Sequence, residues 1–363
     1  MFDGPRLLFV PVSGAFGMGE YARSLNLALA CTARWPTAHI HFIISAQARY
    51  ASSVPFEHTA LPSSPTFHTP QVNDVIAKFE PHAVIFDNAG RTAQLVAARR
   101  VGARVVYISA RPRQRRKAFR WRWMKMLDGH WIAYPQFMAG RLSWTERLKL
   151  NWLRRPEVRF LDCILPEATP EGANAVRSRA AVQGERYVLV VPGGGTGHPR
   201  AANAVEIFKR TAQAVAAHGV RTVFVAPAGA VLNGTQNLIG IDLLPLPELL
   251  VLLRGAAVVL TNGGDTLIQA IACGIPSVAV PIAADQPGRI ARCLQAGVAR
   301  EAKLDVESMR GAVIELLDRS GAAAELREQS RRLGLRDGLR ESVDVLAAML
   351  LPGQAPGSKP GLT

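Results

Sequence analysis

Along this chain the apolar residues gather in short unbroken runs rather than in strict alternation with polar ones. Leu7-Leu8-Phe9-Val10-Pro11-Val12 is the first run, and 40–45, 83–87 and 104–109 are others. Strands buried on both faces of a parallel sheet have this appearance. The first run passes into the glycine-rich turn Ser13-Gly14-Ala15-Phe16-Gly17-Met18-Gly19-Glu20. A helical pattern follows, with Leu25, Ala28 and Leu29 on one face. Strand, glycine turn and helix in that order open a Rossmann-type unit. The same order starts again near residue 185: Tyr187-Val188-Leu189-Val190-Val191, the glycine run 192–199, then a helix over 201–218 stopped by Gly219. Strands over 222–226, 256–261 and 277–281 follow, with a helix over 266–273 between the last two. The fold class is therefore α/β, with two Rossmann-like doubly wound domains facing a central cleft. We place the first at 1–165 and the second at 166–335. A length of 363 residues suits two such domains. The Pro-, Gly- and Ser-rich tail 351–363 reads as disordered.

Composition adds a location. Cys31, Cys163, Cys273 and Cys293 are not at metal or redox spacing, and no basic start leads into an apolar run. That fits buried thiols in a reducing, cytoplasmic setting. The most apolar long stretch, 243–260, carries Glu248, Arg254 and two prolines, so no membrane span is expected. The net charge of +15 is local: 91–159 holds 18 Lys or Arg against three acids, which leaves the rest of the chain neutral.

The centre of that region, 111–127, has eight Lys or Arg, no acid, and as a helix puts Phe119, Trp123, Met126 and Leu127 on one face. Cations beside interfacial aromatics are drawn to anionic bilayers. Arg113, Arg115, Arg116, Lys117, Arg120 and Trp123 are thus candidate membrane-binding residues. Nucleic acid is the rival partner. No recognition motif for it accompanies the patch, so none is expected.

Candidate chemistry sits at the ends of strands, where ligands gather in open α/β sheets. Asp87 and Ser109 end two runs and are expected to face the cleft. The most specific pattern is Thr261-Asn262-Gly263-Gly264-Asp265-Thr266-Leu267-Ile268-Gln269-Ala270, continued by Gly274-Ile275-Pro276 and Asp285-Gln286. Two glycines lead into a helix start at Asp265 or Thr266, whose free N–H groups and dipole suit a diphosphate. Gln269 is one turn in, at reach of a ribose hydroxyl, and Asp285 and Gln286 offer groups for sugar hydroxyls.

This constellation resembles the donor-site signature of GT-B glycosyltransferases. The likeness is greatest to the nucleotide-sugar branch with the plant-type enzymes and the bacterial enzyme that glycosylates the muramyl lipid precursor. That branch shows H-x-G-x-x-S/T-x-x-E, then G-x-P, then D-Q. Gly263, Thr266, Gly274, Pro276, Asp285 and Gln286 match, while Thr261 stands in place of His and Gln269 in place of Glu. The resemblance implies a hexosyltransferase that uses a nucleotide-diphosphate sugar, a UDP-sugar in that branch, inverts the anomeric centre and needs no metal or cofactor. It also implies that Gly194, Gly195, Thr196 and Gly197 lie over the diphosphate and that a helix near 336–350 returns to the first domain. Gly17-Met18-Gly19-Glu20-Tyr21-Ala22-Arg23 resembles the family's G-x-G-H-x-x-R turn, with Gly17 and Gly19 on the acceptor side. Glu20 stands in place of the His that takes the acceptor proton, and a carboxylate can do that work. Asp87 is the alternative base. The combined expectation is transfer to a lipid-linked or glycan acceptor at the inner face of the cell membrane, in envelope polysaccharide or lipopolysaccharide synthesis. A nucleotide-sugar 2-epimerase or hydrolase of the same fold, and a non-catalytic membrane- or nucleic-acid-binding protein, are the alternatives.

Overall fold

The apolar runs form strands in a computed structural model that describes residues 4–14, 18–193, 203–226 and 236–350. The chain divides between Ile164 and Leu165 and again between Arg336 and Asp337. The first unit is built on strands β1 (Arg6–Pro11), β2 (His39–Ser45), β3 (Glu57–Leu61), β4 (Ala83–Asp87), β5 (Arg104–Ser109), β6 (Gly129–Ile132) and β7 (Glu157–Phe160). They lie in the order β3-β2-β1-β4-β5-β6-β7, every pair parallel. The second unit has β8 (Tyr187–Val191), β9 (Arg221–Val225), β10 (Leu238–Ile241), β11 (Val258–Asn262), β12 (Ser277–Val280) and β13 (Arg300–Glu301). Their order is β10-β9-β8-β11-β12-β13, again all parallel. In both sheets the chain reverses direction of winding beside the first strand, at β1/β4 and at β8/β11.

Alternation along each strand sends neighbouring side chains to opposite faces, and each sheet has a core on both. Leu7, Phe9, Phe42, Ile85, Ile108 and Trp131 meet the helices Gly19–Arg34 and Gly338–Leu350. Leu8, Val10, Ile43, Phe86 and Tyr107 meet Val72, Ile76, Leu95 and Trp123 on the other side. In the second unit Val188, Val190 and Leu260 pack on Phe208 and Met309, and Leu189, Val191 and Val259 on Val176, Leu250 and Leu253. Each large side chain buried this way contributes about 1.5–3 kcal/mol. The helix Gly338–Leu350 is joined to the first sheet by the Gly338 N–H on the Cys163 carbonyl (2.7 Å) and by Arg104 Nε on the Met349 carbonyl (3.1 Å).

The basic stretch departs from the expected amphipathic surface helix. It folds as two short helices, Pro112–Ala118 and Trp121–Met124, and Phe119, Trp123 and Leu127 are core. Trp123 is 2% exposed and its Nε1 donates to Thr92 Oγ1 at 3.1 Å, so it is not a membrane anchor. Lys117 lies 4.2 Å over the Trp123 ring and donates to the Gly90 carbonyl at 2.7 Å. Arg115 turns inward: its guanidinium grips Glu146 through two bonds of 3.1 and 2.8 Å and donates to the carbonyls of Ala139, Gly140 and Arg141. Both are therefore removed from the membrane-binding set, because the apolar residues between these cations are needed to cover the sheet. Arg113, Arg116 and Arg120 remain exposed. Among the described residues no helix is long and apolar enough to cross a membrane.

Candidate functional site

Winding reversals leave a crevice beyond the strand tips, and ligands of open α/β sheets bind there. In the second unit that point is occupied by Gly193, Asn262, Gly263 and Gly264. Asn262 ends β11 and ties the turn together: its Nδ2 donates to the Pro192 carbonyl at 2.8 Å and its Oδ1 accepts the Gly264 N–H at 2.7 Å. Gly193 has φ +115°, and a Cβ there would meet Asn262 Nδ2 at 2.2 Å. A Cβ on Gly264 would meet Asn262 Oδ1 at 2.6 Å, and one on Gly263 would meet Gln286 and Ile290 at 2.9 Å. The turn is close-packed backbone with no room for side chains. It opens into the helix Asp265–Ala272, which no side chain among the described residues caps. The first-turn N–H groups of such a helix have no intrahelical partner and favour an anion.

Around this turn the expected donor residues take different places. Asp265 is exposed, and Thr266 is half-buried at the helix start. Thr261 lies within the sheet with no exposed surface, and its Oγ1 has no hydrogen-bond partner among the described residues. It is thus removed from direct ligand contact by the strand that carries it. Asn262 and Gln269 are also buried. Gln286 Oε1 accepts the N–H groups of Ile282 and Ala283 at 2.8 and 3.2 Å, so it closes its own loop. Asp285 is exposed and hydrogen-bonded to Arg289, whose Nη1 also donates to the Gly263 carbonyl at 2.9 Å. Arg289 was not singled out from sequence, although it follows Asp285 by one helical turn. Gly194, Gly195, Thr196 and Gly197 lie outside the described residues, as do Gly17 and the tail 351–363.

At the β1/β4 point of the first unit Glu20 begins the helix Gly19–Arg34. Its Oε1 accepts from Asn88 Nδ2 at 3.0 Å and from Arg111 Nη2 at 3.3 Å. Its Oε2 has no partner among the described residues. Asn88 is held in turn, in the left-handed region (φ 53°), with its Oδ1 on the Ala110 N–H at 2.8 Å. Ser13 and Tyr50 lie nearby and share a hydrogen bond of 2.8 Å. Burial pushes the Tyr50 hydroxyl up, and the Glu20 charge adds to that against the Ser13 bond.

Asp87 and Ser109 do not face outward as expected. Asp87 has no exposed surface, and both its oxygens accept from Arg23, at 2.8 Å each. A carboxylate gripped on both oxygens inside the core positions Arg23 and is not placed to take a substrate proton. Ser109 is buried on His130 Nε2 at 2.9 Å. Burial holds the His130 imidazole down at about 3, with Arg115 adding to the effect, so that ring is neutral. Arg23 is the last position of the glycine-turn motif, but its partner lies 64 residues away and sequence spacing does not expose such a pair.

No protein-family model and no curated protein sequence matches the chain. Solved structures do match over nearly their whole length. The spinosyn forosaminyltransferase aligns at 15% identity over 96% of this chain and 99% of its own, with a TM-score of 0.66. The glycosyltransferase VinC, solved with dTDP, aligns at 15% identity over 96% and 100%, with a TM-score of 0.65. A Listeria monocytogenes protein assigned as a UDP-N-acetylglucosamine 2-epimerase aligns at 13% identity over 97% and 98%, with a TM-score of 0.61. At these identities the likeness is one of fold, and the fold is that of the GT-B glycosyltransferases.

Proposed function

We propose that this chain is a glycosyltransferase that moves a sugar from a nucleotide-diphosphate donor, a UDP-sugar, to a hydroxyl of a membrane-held glycan or lipid-linked acceptor. The observation that carries the reading is the uncapped helix start behind Gly263 and Gly264, at the β8/β11 reversal of a GT-B fold. The acceptor oxygen attacks the anomeric carbon, the bond from that carbon to the diphosphate breaks, and the configuration inverts. Glu20 takes the acceptor proton on Oε2, while Asn88 and Arg111 hold the carboxylate through Oε1. Charge on the departing diphosphate is met by the helix start and the Arg289 guanidinium, so the reaction as we write it needs no metal ion. Work at the cytoplasmic membrane face, in envelope polysaccharide or lipopolysaccharide synthesis, is part of the same proposal and rests on the local charge excess.

Calorimetry of the full chain against UDP, dTDP, GDP and CDP tests the reading. One nucleoside diphosphate should bind, and Gly264→Val should abolish binding while the protein stays folded. Folded wild-type protein that binds none of the four would end the proposal. The likeness to a protein assigned as a 2-epimerase favours one second reading. Turnover of a nucleotide sugar without any acceptor would select it.

A further inference from the structure

The helix Trp144–Leu153 buries none of its residues. It is nevertheless well formed. Ser143 and Glu146 cap its start reciprocally, at 3.2 and 2.8 Å, and Lys149 Nζ donates to the Phe119 carbonyl at 3.1 Å. Its apolar stripe points to solvent: Trp144, Leu148 and Trp152, spaced by four, are 69%, 59% and 77% exposed. Trp121, 39% exposed, packs edge-on to Trp152 with ring centroids 4.9 Å apart. A surface helix ordinarily turns such a stripe inward, and an outward patch marks an interaction surface.

Charge decides what covers it. Arg141 and Arg147 are exposed on the same element and its approach, and Arg122 and Lys125 beside Trp121. Past the last turn, Arg154 lines a cavity of about 460 Å³ together with Arg99, Arg104, Arg155, Asp128 and Glu157. Asp128 is already bonded by Arg99 at 2.7 Å, Arg155 at 3.3 Å and the Val105 N–H at 2.8 Å, and Glu157 is paired with Arg159. The Arg154 guanidinium has no partner among the described residues. Four guanidinium groups thus surround two carboxylates that are both engaged, and the lining is left cationic. A tryptophan stripe beside a cationic cavity complements an anionic phospholipid surface, where indole rings sit at headgroup depth and arginines meet phosphates.

We propose that this face docks on an anionic phospholipid bilayer, with Trp144, Leu148 and Trp152 seated among the headgroups and the arginine cavity taking a lipid phosphate. The inference deepens the reading of a membrane-held acceptor but does not depend on the nucleotide site. It also moves the contact from Arg113–Lys117 to a helix some thirty residues on.

Sedimentation with vesicles of phosphatidylcholine, with and without 30% phosphatidylglycerol, tests it on the full chain. Wild-type protein should bind the anionic vesicles at least tenfold more tightly. The triple variant W144S/L148S/W152S should lose at least tenfold of that affinity. Arg154→Gln should lose about fivefold, the share of one surface cation. Calorimetric nucleoside-diphosphate binding should be unchanged in both variants. Equal binding to both vesicle types, or a triple variant that binds like wild type, would overturn the proposal. So would a concentration-dependent dimer, or an RNA complex, that the triple variant abolishes while vesicles are ignored. Failure of vesicle binding with nucleotide binding intact leaves the donor reading standing, and the reverse result leaves this one.

Discussion

At the β1/β4 reversal of the first unit four charged side chains converge, Glu20 with Arg111 and Asp87 with Arg23. At the β8/β11 reversal of the second the same topological place is filled by glycines and the amide of Asn262. The backbone plan is shared, and the chemistry differs. In the first tip the Glu20 carboxylate is held through Oε1, and its Oε2 has no partner among the described residues. Close-packed backbone offers N–H groups to an anion, and the Arg289 guanidinium reaches this turn, where it binds the Gly263 carbonyl and Asp285. The charge excess of the chain follows the same division, since all of it falls between Arg91 and Arg159 in the first unit. The two tips thus differ in side-chain charge and in backbone packing, and each can be perturbed on its own.

The largest effect is expected at Glu20. Glu20→Gln keeps the bond from Asn88 reachable but removes the proposed base, and turnover should fall about 10²–10⁴-fold with donor affinity nearly unchanged. Steady-state rates and calorimetry on one preparation check both halves. Near-normal turnover would take Glu20 out of the mechanism. Asp87 would not inherit the role, because its carboxylate is sealed against Arg23. Removing that partner is the next largest change. Arg23→Met removes the guanidinium that grips both Asp87 oxygens and should cost about 3–5 kcal/mol, read by urea denaturation. A cost below 1 kcal/mol would show that Asp87 reaches solvent after all.

These two residues also show how far the sequence can be read. Runs such as Leu7–Val12 and Tyr187–Val191 are legible because burial on both sheet faces demands unbroken apolar stretches. The glycine turns are legible because a close backbone approach excludes a Cβ. The four-residue strands β6 (Gly-His-Trp-Ile) and β7 (Glu-Val-Arg-Phe) carry no unbroken apolar run and so do not show in the sequence. Which way a tip residue points is decided by partners distant in sequence. Asp87 turns in because Arg23 is there, and Asn88 reaches Glu20 because it adopts a left-handed backbone. Trp123 and Trp152 look alike in the sequence, both among cations. One is core and the other is solvent-facing, and only the sheet that needs covering separates them.

The glycines give a smaller and cleaner contrast between the two tips. A Cβ on Gly263 would stand 2.9 Å from Gln286 Cβ and from two carbons of Ile290, so the helix Gln286–Gln295 must shift. Gly263→Ala should cost about 1–3 kcal/mol and weaken nucleoside-diphosphate binding with it. Gly14, in the turn after β1 of the first unit, has nothing among the described residues within 4 Å of its missing Cβ. Gly14→Ala should stay within about 0.5 kcal/mol of wild type. Equal costs at the two positions would mean that the turns are not built on different principles.

The smallest effect sharpens the charge contrast. Burial lowers the Lys117 ammonium to about 8, and Arg91, Arg120 and Arg113 push in the same direction. An unfolded lysine titrates at about 10.4. Between those two values the unfolded chain holds the extra proton, so this group makes stability rise as pH rises from about 8 toward 10.4. Below pH 8 the ammonium is charged in both states, and the cost of burying it is fully present. Its bond to the Gly90 carbonyl and its place over Trp123 offset part of that cost. Lys117→Met removes the titration and changes those contacts by an amount independent of pH, so the slope is diagnostic and the offset is not. Thermal midpoints of wild type and variant, measured from pH 7 to pH 10, should differ by an amount that drifts in favour of wild type by a few degrees at most. A difference that stays flat would place the ammonium in solvent, and with it the crowding of cations that separates the first unit from the second.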